Sequence, residues 1–189
     1  IHREDNVMKS FGAKEGDIVS AFRSLQALGG GEGSSCVAKQ DATRLEAIPD
    51  SSVDYVFTDP PFGSNVFYAD CSILWESWLD DFTDQEREIV VSERRQGGLF
   101  KTLDSYSALI TAAFKQMYRV LKAGRWATVV FNNSDGRVFE VIKKAVLEAG
   151  FQIANMLLLD RVQKTFKQVK GVTSGEDVVD KDVMFNLRK

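Results

Sequence analysis

VDYVFTDPPF, residues 53–62, is the stretch on which the reading of this chain turns. Val53–Thr58 is a continuous β-branched and aromatic run, bounded by Ile48-Pro49-Asp50-Ser51-Ser52 before it and by Asp59-Pro60-Pro61 after it. A short apolar run without alternation suits a strand buried on both faces of a parallel sheet. The two prolines cannot donate backbone hydrogen bonds and hold φ at about −65°, so they fix a rigid turn with free carbonyls. Asp59 and Phe62 then stand at the carboxyl end of a strand, the rim where open α/β sheets bind their ligands.

Outward from that strand, the hydrophobic periodicity sets the remaining elements. Ile18, Val19, Phe22, Leu25 and Leu28 recur at helical spacing and predict a helix, followed by a glycine-rich connector over Gly29–Ser35. The expected division is an N-terminal helix with connector over residues 1–35 and a second unit over 36–189. Cys36–Ala38 reads as a short strand leading to Asp41. Residues 63–103 read as irregular, with an aromatic cluster at Phe67, Tyr68, Trp75 and Trp78. Asp104-Ser105 opens an amphipathic helix carrying Tyr106, Leu109, Ile110, Ala113, Phe114, Met117 and Leu121 on one face, and Gly124 stands at its stop position. Arg125–Phe131 reads as a strand. Asp135 begins a further helix that ends at Gly150, and Phe151–Leu159 and Val183–Leu187 read as the last two strands. Strands alternating with helices predict a mostly parallel α/β sheet, and the closing pair with no helix between them predicts an antiparallel edge.

Composition narrows the function classes. The chain is 44% apolar and 27% charged over 189 residues, which is globular. Lys and Arg number 24 against 27 Asp and Glu, for a net charge of −3, so a uniformly basic nucleic-acid coat is excluded while a local basic patch is not. One histidine and two cysteines argue against histidine catalysis, a metal site and a disulfide framework. No apolar run approaches bilayer length, and the first residues lack the pattern of a signal or transit peptide. The expected setting is reduced and cytoplasmic.

The polar tips on the predicted rim are Asp41, Asp59, Asn132 and Asn133. Taken singly, each is an ordinary loop-starting Asp or Asn. The Asp59–Phe62 turn adds a specific chemistry. A carboxylate and a proline carbonyl can accept the two N–H bonds of a planar group bearing NH₂, while the aromatic ring stacks on its face. A plain loop remains the alternative on these residues alone.

SVDYVFTDPPF resembles motif IV of the amino-group methyltransferases, which methylate adenine N6 or cytosine N4 with S-adenosylmethionine. The D-P-P form leans toward adenine. KQDATRLEAIPDSSVDYVFTDPPF resembles the preceding strand and its acidic tip, and YRVLKAGRWATVVFNN resembles the helix–strand unit that follows. PPFGSNVFYADCSILWESWL and Phe166-Lys167-Gln168 are similar to a bacterial group of adenine-specific DNA methylases. The resemblance covers roughly residues 36–189 and implies a Rossmann-like class I methyltransferase sheet. It implies that Asp59 and Pro60, within the catalytic turn Asp59-Pro60-Pro61-Phe62, hold the exocyclic amine, with Phe62 stacked on an extruded base. It implies that Asp41 with Ala42, together with Asp59, contacts the cofactor. It places Ser64, Asn65 and Tyr68 in a loop over the target and Asn132 on the same rim.

Two parts of that family pattern are missing. There is no strand ending in a glycine-rich F-x-G-x-G turn, and no following strand ending in a ribose-binding acid. Gly29–Gly33 has G-x-G spacing but follows a helix, and a linker is the plainer reading. The sheet is therefore expected to lack its first two strands, with the cofactor-binding half upstream or on another polypeptide. Arg87, Arg94, Arg95 and Lys101 are the candidates for DNA phosphate contacts, with a solvated charged loop as the alternative. The expected activity is methyl transfer to adenine N6 in DNA. The alternatives are an RNA-base methyltransferase and a non-catalytic remnant that binds nucleic acid or a partner subunit.

Overall fold

The computed structural model describes residues 7–27, 33–64, 66–92, 99–132, 136–160 and 181–189. The chain divides into two compact units, Ile1–Lys39 and Gln40–Lys189. The first holds helix α1, Val7–Ala27, on which Ile18, Val19, Phe22 and Leu25 are all exposed. The second holds strand β1 (Val53–Thr58), helices α2 (Tyr68–Leu79) and α3 (Leu103–Val120), strand β2 (Leu121–Phe131), helix α4 (Gly136–Glu148), and strands β3 (Gln152–Asp160) and β4 (Lys181–Arg188).

The sheet order is β1-β2-β4-β3. β1 runs parallel to β2, with Val56 opposite Ala127 and Thr58 opposite Val129. β4 inserts between β2 and β3 and is antiparallel to both. The expected α/β, Rossmann-like sheet with an antiparallel C-terminal pair is therefore present, and its parallel part among the described residues is the β1–β2 pair.

One face of this sheet makes the core. The α3 residues Tyr106, Ile110, Phe114 and Met117 pack with Val138, Ile142 and Val146 of α4 against Val129 and Phe131 of β2 and Phe185 and Leu187 of β4. Each helix is amphipathic because its apolar residues recur every three or four positions, and burying that stripe stabilises it more than propensity does. Thr102, two residues before the expected Asp104-Ser105 start, is the N-cap of α3; its hydroxyl accepts the Ser105 N–H at 3.2 Å. Gly150 stops the chain after α4 at a φ of +101°, a conformation side chains resist.

Three expectations are corrected. Cys36–Ala38 is not a strand: residues 33–40 have no regular structure, and Val37 is 99% exposed. Three apolar residues with no neighbouring ladder gain nothing from extending. Within 63–103 the residues Tyr68–Leu79 form a helix, on which Leu74, Trp75, Trp78 and Leu79 are all exposed. β1 is buried on one face only. Val53 and Val56 reach the core, while Tyr55 and Phe57 lie exposed on the opposite face, which no described helix covers. Asn65, Arg94, Arg95, Asn133, Asp135, Phe166-Lys167-Gln168 and all of the Gly29–Gly33 stretch except Gly33 lie outside the described residues.

Candidate active site

The parallel pairing of β1 and β2 puts the Asp59–Phe62 turn and Asn132 at the same end of the sheet. Asp59 is exposed at the tip of β1, Pro60 is buried beneath it, and Pro61 and Phe62 are half-buried. Gly63 follows, buried, at a φ of +74° that a larger residue would resist.

The turn is braced from three directions. Tyr106 of α3, fully buried, donates its hydroxyl to the Pro61 carbonyl at 2.6 Å. Burial drives its pKa far above the ordinary tyrosine value, outweighing the opposing hydrogen bond from the Gly63 backbone, so the phenol keeps its proton and donates throughout the working pH range. The Val91 N–H donates to the Gly63 carbonyl at 3.1 Å. Phe62 meets Phe131 of β2 edge to face, with centroids 5.0 Å apart at 84°.

Residues 84–92 tie the neighbouring parts together. The Glu88 carboxylate accepts the N–H groups of Tyr68 and Ala69 at 2.7 and 3.2 Å, satisfying two orphan donors at the start of α2. Arg87 forms an ion pair with Asp41. Lys101, only 7% exposed, donates its ammonium to the carbonyls of Glu86 and Glu88 and exchanges backbone hydrogen bonds with Ser92. Burial lowers the Lys101 pKa, opposed by the charges of Glu88, Asp84 and Glu86. Two of the candidate phosphate contacts, Arg87 and Lys101, are thus engaged within the protein.

Asp41 lies in the irregular segment before β1. Its Oδ1 accepts both the Thr43 N–H and the Thr43 hydroxyl at 2.7 Å, and its Oδ2 faces Arg87 without a well-aligned hydrogen bond. Burial alone would raise its pKa; the Thr43 hydrogen bonds, aided by Arg87 and Arg44, win and hold it below the usual carboxylate range. Ala42 and Ser64 are exposed beside their turns, and Tyr68 opens α2 with its ring half-exposed. Asn132, 9% exposed, donates its side-chain amide to Asp182 at 2.7 Å, which joins the end of β2 to β4. The structure therefore groups Asp59, Pro60, Pro61, Phe62 and Asn132 at one end of the sheet, and links Asp41 to that end through Arg87 and the 84–92 segment.

Sequence reasoning missed Tyr106, Val91 and Glu88, and gave Lys101 a different role. Tyr106 carries no local signal beyond its place on the apolar face of α3, where it reads as a packing residue. The other three act on partners 13 to 28 positions away or through the backbone, so no short motif reports them.

Among the described residues no group of three or more His, Cys, Asp or Glu side chains converges to hold a metal. Among the same residues no helix is long and apolar enough to cross a membrane. Nor do they hold a strand that ends in a glycine-rich F-x-G-x-G turn to cradle the methionine part of S-adenosylmethionine, and Asp41 already has partners.

No protein-family model and no curated protein matches the chain. Solved structures do. A DNA modification methylase described from Thermus thermophilus, in its complex with S-adenosyl-L-methionine, has a TM-score of 0.45 at 14% identity over 79% of this chain and 51% of that one. The cytosine-N4-specific PvuII DNA methyltransferase has a TM-score of 0.49 at 16% identity over 79% of this chain and 47% of that one. The likeness concerns the chain path. This chain spans about half the length of these structures.

Proposed function

We propose that this chain is the target-holding half of an S-adenosylmethionine-dependent methyltransferase acting on the exocyclic amino group of a nucleobase, adenine N6 in DNA. The observation that carries the reading is the Asp59-Pro60-Pro61-Phe62 turn, placed at the carboxyl end of β1 and braced by Tyr106, Val91 and Phe131. A turn held this rigidly presents fixed acceptors, and fixed acceptors stabilise a reacting group without reorganising. The Asp59 carboxylate and Pro60 carbonyl accept the two N–H bonds of the amine, which localises the nitrogen lone pair and orients it outward. Phe62 offers an aromatic contact to the base, and the reaction needs no covalent intermediate on the protein.

The cofactor supplies the methyl group. The residues described do not complete its cradle, so its grip is assigned to the two strands that the family pattern places before β1, on a preceding or separate segment. The face and the outer edge of β1, both left uncovered by the described residues, fit that division. DNA is the expected polynucleotide, reached by extrusion of the target base.

The test is methyl transfer from tritiated S-adenosylmethionine to an adenine-containing duplex, alongside calorimetric titration of the cofactor into the chain. Transfer that falls by about two orders of magnitude or more in Asp59→Ala supports the reading. Transfer undiminished by that change overturns it. Cofactor binding that is absent in the chain alone, and regained with a segment bearing the glycine-rich turn, supports the division of labour.

A further inference from the structure

We propose that Tyr106 is a positioning residue that sets the amine selectivity of the Asp59–Phe62 turn, holding the Asp59 carboxylate and Pro60 carbonyl in a fixed orientation to Phe62. The inference rests on the amine-holding reading above. A proline pair fixes φ at both residues, and Pro61 also confines ψ of Pro60, but ψ of Pro61 is left free, so the orientation of the Pro61 carbonyl and of the chain beyond it has to come from elsewhere. The structure supplies a tether. The Tyr106 hydroxyl takes the Pro61 carbonyl at 2.6 Å from a fully buried position on α3, the best-packed helix of the core. The tether reaches across 45 positions of sequence and joins the turn to the core at the peptide next to the acceptor.

Its consequence differs from that of ordinary packing. With the hydroxyl gone, ψ at Pro61 relaxes and the half-buried carbonyl seeks another donor, because an acceptor left unsatisfied away from water is costly. The Asp59 and Pro60 acceptors then no longer keep a fixed orientation to the Phe62 ring and to a base stacked on it. Affinity for the flat face of a purine, which Phe62 supplies, does not depend on that orientation.

The experiment compares adenosine with purine riboside, which lacks only the amino group, by equilibrium titration into the full chain. Wild type is expected to favour adenosine by about tenfold, the scale of one good hydrogen bond to a charged acceptor. Tyr106→Phe is expected to bring that ratio to about 1 while the affinity for purine riboside changes less than about twofold. 3-Fluorotyrosine at position 106, which keeps the hydroxyl and the ring, is expected to retain the preference even if Tyr106→Phe folds poorly. Asp59→Asn separates this proposal from the reading beneath it. If wild type shows no preference, or Asp59→Asn keeps it, the amine-holding reading falls and Tyr106 with it. If Asp59→Asn loses the preference while Tyr106→Phe keeps it, or the fluorotyrosine protein loses it, the role of Tyr106 alone is overturned. Equal weakening of both ligands in Tyr106→Phe marks a purely structural residue and also overturns it.

Discussion

Phe62 serves two masters. Its ring meets Phe131 of the core at right angles while its residue belongs to the proposed base-holding turn, so one substitution should register in two measurements. Phe62→Ala is expected to weaken nucleobase stacking by about 1–3 kcal/mol, read by nucleoside titration. It should also lower stability by about 1–3 kcal/mol, less than a fully buried Phe→Ala, read by urea denaturation. Asp41 supports a prediction in pH. Its folded pKa lies below the unfolded value near 3.8, so its stabilisation is complete above that value and is lost as pH falls through the folded pKa. Wild type should therefore lose melting temperature below about pH 4 more steeply than Asp41→Asn, whose melting temperature is already lower at neutral pH. Parallel melting curves for the two proteins across that range would refute the assignment.

Segments without regular structure depend on anchors from regular ones. Arg119, in the last turn of α3, donates to the carbonyls of Ile48 and Leu45 at 3.0 and 2.9 Å and pairs with Asp50, while Ser51 and Ser52 donate to the backbone carbonyls of Arg119 and Val120. A planar five-donor fork suits this use and an ammonium does not. Arg119→Ala should cost about 1–3 kcal/mol by denaturant melt and open residues 44–50 to proteolysis, with Arg119→Lys recovering little of it. At the end of α4, an added Cβ on Gly150 would lie 3.2 Å from the Tyr118 ring at a φ of +101°. Gly150→Ala is expected to destabilise by about 1–2 kcal/mol in the same melt. At this scale α3, α4 and the three longer strands were legible because burial on one face imposes a period on the sequence. α2 was not, because its start is satisfied by Glu88 twenty positions away and its large apolar residues are left exposed.

At the scale of the whole molecule, the described residues pack one face of the sheet and leave the other bare. Along the bare face Tyr55 donates its hydroxyl to Thr128 at 2.6 Å, Thr128 donates to the Asn186 side-chain oxygen at 2.9 Å, and the Asn186 amide donates to Asn155 at 2.7 Å, so one hydrogen-bonded row crosses all four strands. Phe57 and Trp126 flank that row and remain substantially exposed. Apolar surface of this extent binds hydrophobic dyes and favours association. Phe57→Ser is expected to lower dye fluorescence and self-association while moving stability by no more than about 0.5 kcal/mol, because its side chain is already 62% exposed.

What the sequence determined by itself was the periodic part of the protein: the amphipathic helices α3 and α4, the strands they cover, and a proline-locked turn spelled by four adjacent residues. Those signals are local, since period and proline act on the chain within a few positions. Tertiary structure decided the rest. Cys36–Ala38 stays irregular because no described strand lies beside it to complete a ladder. β1 has one bare face because no described helix packs there. Arg87 and Lys101, charged residues that read as contacts for phosphate, turn inward to Asp41 and to backbone carbonyls. Tyr106, one more apolar position on a helix by its spacing, becomes the tether of the turn only when α3 is folded against it, because a hydrogen bond spanning 45 residues exists in no stretch of sequence.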